Sequence, residues 1–204
     1  MKIKHFALLG TTIALMLYLF LALSVSNKVN NDDIIEIHKL NIKHNCNRIN
    51  DFDTEINCIK SIQNKIINII EVTEFEVTSN SCNVGMSAEP KTFILNKLGC
   101  CVQYSRFIEK TLRYYGFKTR HVFLIQPYNK ISLSNILSLN QQSHAATEVL
   151  TSYGWMGVDS MTPTILYNTK NNNVNSFKDL ANDSKLRLFY LNSENEVLMN
   201  FISK

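Results

Sequence analysis

The hydrophobic pattern begins with one long stretch near the N-terminus. Residues 6–25 are uncharged and mostly apolar, and Lys2 and Lys4 precede them. A run of 20 residues has the length of a membrane-spanning helix and exceeds the apolar core of a cleavable signal peptide. We therefore predict an uncleaved signal anchor over residues 1–25, with its N-terminus in the cytoplasm. Small residues near Ser24 leave open the alternative of a cleaved signal peptide.

Beyond the anchor, residues 26–33 are polar and short, and we interpret them as a tether to one domain over residues 34–204. Three helices are predicted in the first half of this domain. The first starts near Asp53 and is amphipathic, because isoleucines recur at spacings of three and four at positions 56, 59, 62, 66 and 69. A short helix over residues 90–98 and a longer one over residues 101–115 follow.

The strands are predicted from alternating and continuous apolar runs. Residues 119–126 are typical of a strand buried on both faces. Residues 144–150 and 153–159 form a hairpin with a turn at Thr151 and Ser152. If that turn sets the register, His144 falls directly opposite Asp159 on the same face of the sheet.

The remaining segments carry weaker patterns. Polar composition predicts loops at residues 78–89 and 127–143, and the length of the second is typical of a functional lid. Residues 165–184 are predicted to be irregular, residues 186–191 to form a strand, and residues 197–202 to be an apolar segment of undecided type.

Composition limits the classes of protein to consider. With 204 residues, of which 45% are hydrophobic, the chain can bury one core. Its net charge is +4, and without Lys2 and Lys4 the balance is 19 basic against 17 acidic residues, or +2. Because the basic and acidic residues are nearly equal in number, we predict no nucleic-acid partner.

The five cysteines suggest both a disulfide and a reactive thiol. Cys46 and Cys58 flank a short polar segment and are the predicted pair. An odd total leaves at least one cysteine outside such pairs. His38 and His44 near Cys46 lack the further ligands of a metal site, so we predict neither a metal nor a cofactor.

The candidate chemistry centres on the turn Gly99-Cys100-Cys101 at the start of a predicted helix. A helix N-terminus stabilises a thiolate over a thiol. His144 is a candidate base for that thiol, and Asp159 would orient the imidazole. Each residue alone has an ordinary structural explanation, but together they favour catalysis. The helical phase favours Cys101 over Cys100 as the nucleophile.

These motifs resemble a known family. The segments that carry the resemblance are Gly99-Cys100-Cys101-Val102-Gln103-Tyr104-Ser105, Gly116-Phe117-Lys118-Thr119-Arg120-His121-Val122, His144-Ala145-Ala146-Thr147-Glu148-Val149 and Gly154-Trp155-Met156-Gly157-Val158-Asp159. Together they are similar to the transglutaminase-like core of bacterial cysteine acyltransferases and peptidases, over residues 90–163. The resemblance implies a papain-like α+β fold, with a central helix packed on an antiparallel sheet, and the triad Cys101, His144 and Asp159. Ala146 departs from the family pattern, which has an aromatic residue there, and Cys100 is a second departure.

The resemblance implies a thiol enzyme that acts on an amide bond of a peptide or protein through an acyl-enzyme, and the apolar run over residues 6–25 predicts that this enzyme is exported. We expect hydrolysis in preference to transfer to an amine. The domain would lie in the periplasm or outside, held at the inner membrane by residues 6–25 or secreted after cleavage. Trp155, Gln103 and Tyr104 are candidate pocket residues. The rival hypothesis is a catalytically silent domain that binds a peptide or envelope partner.

Overall fold

A computed structural model of the chain describes residues 28–47, 49–71, 89–96, 99–125, 143–168 and 172–183. Within them, helices and antiparallel strands form the mixed α+β architecture that we predicted. The helices are α1 (Asn31–Lys39), α2 (Lys43–Cys46), α3 (Phe52–Glu71), α4 (Pro90–Asn96), α5 (Cys101–Tyr114) and α6 (Phe177–Asn182). The strands are β1 (Lys118–Ile125), β2 (Ser143–Thr151), β3 (Gly154–Val158), β4 (Tyr167–Asn168) and β5 (Asn173–Val174).

The isoleucine stripe does form a helix, α3, as predicted. Ile56, Ile59, Ile62 and Ile66 are all buried in the main core. Burying each such side chain contributes about 1.5–3 kcal/mol, so packing of this face stabilises the helix more than its intrinsic propensity does. Helix α3 packs against α5, and the two helices share the core with one face of the sheet.

Helix α5 also agrees with its prediction and ends at a glycine. Gly116 has a φ of +92°, a conformation that glycine adopts without strain. The Phe117 N–H donates to the Leu112 carbonyl, and the Gly116 N–H donates to the Arg113 carbonyl. These two bonds form a Schellman motif, which satisfies carbonyls at the end of the helix and turns the chain into β1.

The main sheet of the described residues has the order β1-β2-β3, with both pairs antiparallel. The prediction that β1 is buried on both faces is wrong, because Phe123 is 58% exposed. In this order β1 lies beside β2 alone, and Lys118, Arg120 and Phe123 are exposed, so neither face of β1 is fully buried. Among the described strands, the apolar run therefore covers an edge strand instead of a central one.

The turn between β2 and β3 lies one residue later than predicted. Thr151 pairs with Gly154, so residues 152–153 form the turn. Gly154 takes a φ of +120°, and the Thr151 hydroxyl donates to its carbonyl at 2.9 Å, which closes the hairpin there. The predicted pairing of His144 with Asp159 is therefore wrong by two positions. Because side chains repeat their direction every two residues, a shift of two keeps both on the same face.

The prediction of irregular structure over residues 165–184 is also wrong in part. Strands β4 and β5 pair with each other, and α6 follows with a capping box in which the Ser176 hydroxyl accepts from the Asp179 N–H. This segment covers β3 at Gly157, where an added Cβ would lie 2.5 Å from Leu166 Cδ1. A glycine at this position therefore permits Leu166 and Phe177 to pack directly on the strand.

Residues 31–33, which we predicted to be part of a tether, lie in helix α1. Asn30 caps α1, and the buried Asp33 carboxylate accepts from Lys110 Nζ at 2.7 Å. Helix α1 is thereby attached to α5 and belongs to the folded domain. Among the helices of the described residues, none is long and apolar enough to cross a membrane.

Several predictions concern residues outside those described. These are the anchor over residues 6–25, the connection over 127–143 apart from its last residue, the strand over 186–191 and the segment over 197–202. The loop predicted over residues 78–89 also lies outside them, apart from Glu89.

Candidate active site

The start of α5 is shaped by a close approach between Gly99 and an aromatic ring. A Cβ added at Gly99 would lie 2.3 Å from Cε2 of Phe93, so only glycine fits between α4 and α5. Phe93 also packs edge-on against Tyr104, with ring centroids 4.6 Å apart. Because Gly99 has no side chain, the backbone just before α5 can pack directly against the Phe93 ring.

Cys100 caps α5, and Cys101 is its first residue. Both the backbone N–H and the thiol of Cys100 donate to Gln103 Oε1 at 3.0 Å. Cys100 is buried, whereas Cys101 is partly exposed. Of the two thiols, Cys101 is therefore the one that a substrate in solution could reach. Its position in the first helical turn also favours the thiolate.

His144 and Asp159 are in direct contact. Nε2 of His144 lies 2.7 Å from Oδ2 of Asp159, and their side chains are 3% and 1% exposed. A charge-assisted hydrogen bond of this length in a buried setting holds the imidazole in one orientation. A proton exchange between the ring and any other group would then use Nδ1.

The second carboxylate oxygen of Asp159 is held by the loop that follows β3. Oδ1 accepts from the Met161 N–H at 2.8 Å, from the Thr162 N–H at 2.6 Å and from the Thr162 hydroxyl at 3.0 Å. Three donors on one oxygen fix the rotation of the carboxylate. The other oxygen is consequently directed at His144.

Helix α5 and strand β2 run in the same direction, which brings Cys101 to the end of the sheet that carries His144. Ser105 Oγ lies 2.9 Å from Thr147 Oγ1, and further along the helix Arg113 bonds to Thr119, whose partner in β2 is Val149. Cys101 lies one turn before Ser105, about 6 Å back along the axis. Two strand residues before Thr147 span roughly the same distance. Cys101 is therefore level with the start of β2.

The structure shows contacts for each of the three candidate pocket residues. Tyr104 is wholly buried in the core, and burial raises its pKa above the ordinary value. Gln103 is buried and holds Cys100. Trp155 lies four residues before Asp159, about 13 Å away along the strand, and the Arg120 guanidinium lies 4.2 Å from its ring centroid. Their observed contacts are thus core packing, the cap of α5 and a cation–π contact, and a pocket role for them stays a prediction.

A charged network connects helix α5 and strand β1. Glu109 bonds to Arg106 at 2.8 Å and to Arg113 at 3.0 Å, and its Oε2 is 3.7 Å from His121 Nδ1. Burial raises the pKa of Glu109, but the His121 hydrogen bond and the two arginine charges outweigh it, so the pKa of Glu109 is lowered. The carboxylate therefore stays charged, and it links α5 to β1.

Sequence reasoning missed one residue close to Asp159. Gln63 lies on α3 among buried isoleucines and contacts the loop after β3. The available signal was a polar amide within an apolar stripe, because a buried amide requires partners. The stripe does not reveal what those partners are.

Cys46 and Cys58 form a disulfide, with an S–S distance of 2.01 Å. The bond connects α2 to the first half of α3. Both residues lie in the buried core. Cys46 is thus committed to this bond and is not available as a metal ligand.

Comparison with known proteins adds one finding. The family model described as the Transglutaminase-like superfamily matches residues 47–160, a range that contains α3, α5, β1, β2 and β3. No curated protein and no solved structure matched the chain.

Proposed function

The chain belongs to the transglutaminase-like superfamily, and from this membership we propose an exported thiol enzyme that acts on an amide bond of a peptide or protein. Cys101 is the nucleophile, His144 the general base and acid, and Asp159 the residue that orients the imidazole. The observation that carries the proposal is the buried His144–Asp159 hydrogen bond of 2.7 Å, at the end of the sheet where α5 begins. Cysteine, imidazole and carboxylate in this order make an activated nucleophile.

The first half of the reaction forms a thioester. The Cys101 thiol transfers its proton to His144 Nδ1, and Sγ bonds to the carbonyl carbon of the substrate amide. Backbone N–H groups in the first turn of α5 have no acceptor inside the helix, and the N–H of Cys101 is the first donor for the developing oxyanion. The C–N bond then breaks as His144 gives its proton to the leaving amine.

The second half releases the acyl group. Water gives a proton to His144 and attacks the thioester carbon, and the C–S bond breaks. Cys101 then recovers the proton as the carboxylic acid leaves. An amine in place of water would give transfer instead of hydrolysis. We propose hydrolysis because water is always available to the acyl-enzyme.

Export is part of the proposal. Disulfides persist in oxidising compartments, so the Cys46–Cys58 bond supports a domain outside the cytoplasm. The apolar run over residues 6–25 would anchor the chain in the inner membrane with the domain in the periplasm or outside. Secretion after cleavage is the alternative.

The test is labelling of the purified full-length chain with iodoacetamide at pH 6. An ordinary thiol, with a pKa of about 8.5, is nearly all protonated there and reacts slowly, whereas a thiolate paired with imidazolium reacts fast. We expect fast labelling of Cys101 in the wild type and slow labelling in His144→Ala. Cys100→Ala is the matched control and should leave the labelling of Cys101 fast. Peptide fragmentation assigns the labelled residue.

A second measurement addresses acyl transfer directly. The full-length chain is incubated with a mixture of envelope peptides and analysed by intact mass. We expect an adduct on Cys101 that hydroxylamine removes, as it does a thioester, and no such adduct in Cys101→Ala. Equal labelling of wild type and His144→Ala, with no adduct, would contradict the enzyme and favour the silent binding domain.

A further inference from the structure

A buried amide from helix α3 lies next to the loop that holds Asp159. Gln63 is fully buried, and its Nε2 lies 2.9 Å from the carbonyl oxygen of Asp159, 3.0 Å from that of Thr162 and 2.7 Å from that of Thr164. Three carbonyls of one short loop therefore converge on a single side-chain nitrogen. An amide NH₂ carries two hydrogens, so one of them is shared between two acceptors.

The orientation of this amide follows from its surroundings. If the group were rotated by half a turn, Oε1 would face three carbonyl oxygens, and none of these contacts would be a hydrogen bond. In the observed orientation Oε1 has no hydrogen-bond partner among the described residues. The side chain thus leaves one polar atom unsatisfied while its nitrogen binds the loop, and the buried unsatisfied oxygen costs stability.

The loop bound by Gln63 is the one that sets the Asp159 carboxylate. The Asp159 N–H donates to the Thr164 carbonyl, and the Thr164 N–H donates to the Thr162 carbonyl. The Met161 and Thr162 N–H groups in turn hold Oδ1 of Asp159. The curvature that brings these donors onto Oδ1 also points the three carbonyls inward, where the Gln63 amide binds them.

We infer that Gln63 is a positioning residue for the His144–Asp159 pair. Through its hydrogen bonds to the three loop carbonyls, Gln63 keeps Oδ2 of Asp159 directed at Nε2 of His144. This inference rests on the proposed function, because the alignment of the imidazole matters only if His144 exchanges a proton with Cys101. Gln63 itself touches none of the proposed reacting atoms.

Removal of the amide tests this role. Gln63→Met keeps a side chain of similar length but offers no donor to the carbonyls. We expect the loop to move and the rate of Cys101 alkylation by iodoacetamide at pH 6 to fall by about 10–100-fold, since a misplacement of roughly 1 Å in a catalytic group can cost a factor of 10². The alkylation rate should also begin to fall at a higher pH, because the apparent pKa on the acid side of the pH–rate profile moves toward the ordinary thiol value of about 8.5.

Two controls separate positioning from general destabilisation. Ile62→Val trims a fully buried neighbour on the same helix and leaves the Gln63 amide in place, and we expect it to keep the wild-type pH–rate profile. Gln63→Glu is a second variant, matched in shape, that carries at most one hydrogen-bond donor. It should shift the profile as Gln63→Met does, and it replaces that variant if methionine prevents folding. Thermal unfolding by circular dichroism shows which variants fold.

The outcomes distinguish the inference from the proposed function. A wild-type profile in folded Gln63→Met and Gln63→Glu, with a shifted profile in His144→Ala, would overturn the role of Gln63 and leave the enzyme intact. A shifted profile in Ile62→Val as large as that in Gln63→Met would also overturn it. No difference between wild type and His144→Ala would refute the proposed function itself.

Discussion

Replacement of Asp159 by Asn is the sharpest test of the site, because the structure dictates which way the new amide must sit. Oδ1 of Asp159 accepts three hydrogen bonds from Met161 and Thr162. In Asp159→Asn the amide oxygen takes that position, and the NH₂ group replaces Oδ2 next to His144. The NH₂ then donates to Nε2, which forces the imidazole proton onto Nδ1. Nδ1 is the nitrogen that must be unprotonated to receive the proton of Cys101.

The magnitude follows from the cost of turning the amide over. A rotated amide would place NH₂ against three donors and lose three hydrogen bonds of about 1 kcal/mol each. A cost of about 3 kcal/mol leaves under roughly 1% of molecules in the productive orientation. We therefore expect a loss of at least about 10²-fold, and the corresponding substitution in a serine triad costs about 10⁴-fold.

The assay is alkylation of Cys101 by iodoacetamide at pH 6. The wild type should react as a thiolate, and Asp159→Asn should react about 300-fold more slowly, as a thiol with an ordinary pKa of about 8.5 does. The folded state should persist, because the three bonds to Oδ1 remain. Asp53→Asn makes the same chemical change at an exposed position of α3 and serves as the control. Labelling of folded Asp159→Asn at the wild-type rate would refute the proposed role of the carboxylate.

Three further predictions concern the structure around the site. Gly99→Ala should lower the unfolding temperature and slow Cys101 labelling, because the new Cβ would overlap the Phe93 ring; an unchanged protein in both measurements would contradict that packing. The lowered pKa of Glu109 means that its carboxylate stabilises the fold above its unfolded pKa, and that this stability is lost as pH falls through the folded pKa. Circular dichroism melts between pH 7 and pH 3 should therefore show an acid loss that is smaller in Glu109→Gln, and equal losses would oppose this assignment. Reduction of the Cys46–Cys58 disulfide should lower the free energy of unfolding by about 2–4 kcal/mol in denaturant titrations, and Cys46→Ala/Cys58→Ala should be insensitive to reductant.

Local periodicity was enough to predict the main elements. The isoleucine spacing of α3 and the glycine that ends α5 are signals within one element, and the structure agrees with both. A local signal for α6 also existed, because Ser176 and Asp179 have the spacing of a capping box, but the polar composition of the segment concealed it. The edge position of β1 within the described sheet had no local signal, since an apolar run does not reveal how many neighbours its strand has.

The hairpin shows how a local rule can fail in detail and still place the right residues together. The predicted turn was one residue early, which moved the register by two positions. His144 and Asp159 nevertheless share a face, because a shift of two preserves the direction of every side chain in a strand. A shift of one would have separated them.

The sequence alone determined which residue types were available for chemistry and roughly which elements carry them. Cys101 at a helix start, His144 on β2 and Asp159 directly after β3 follow from patterns that extend over a few residues. Only the tertiary structure decided what holds those residues in place. The amide of Gln63 reaches the Asp159 carbonyl across 96 positions of sequence. Such partners are selected by how helices and sheet pack together, and the pattern within a single element carries no information about that packing.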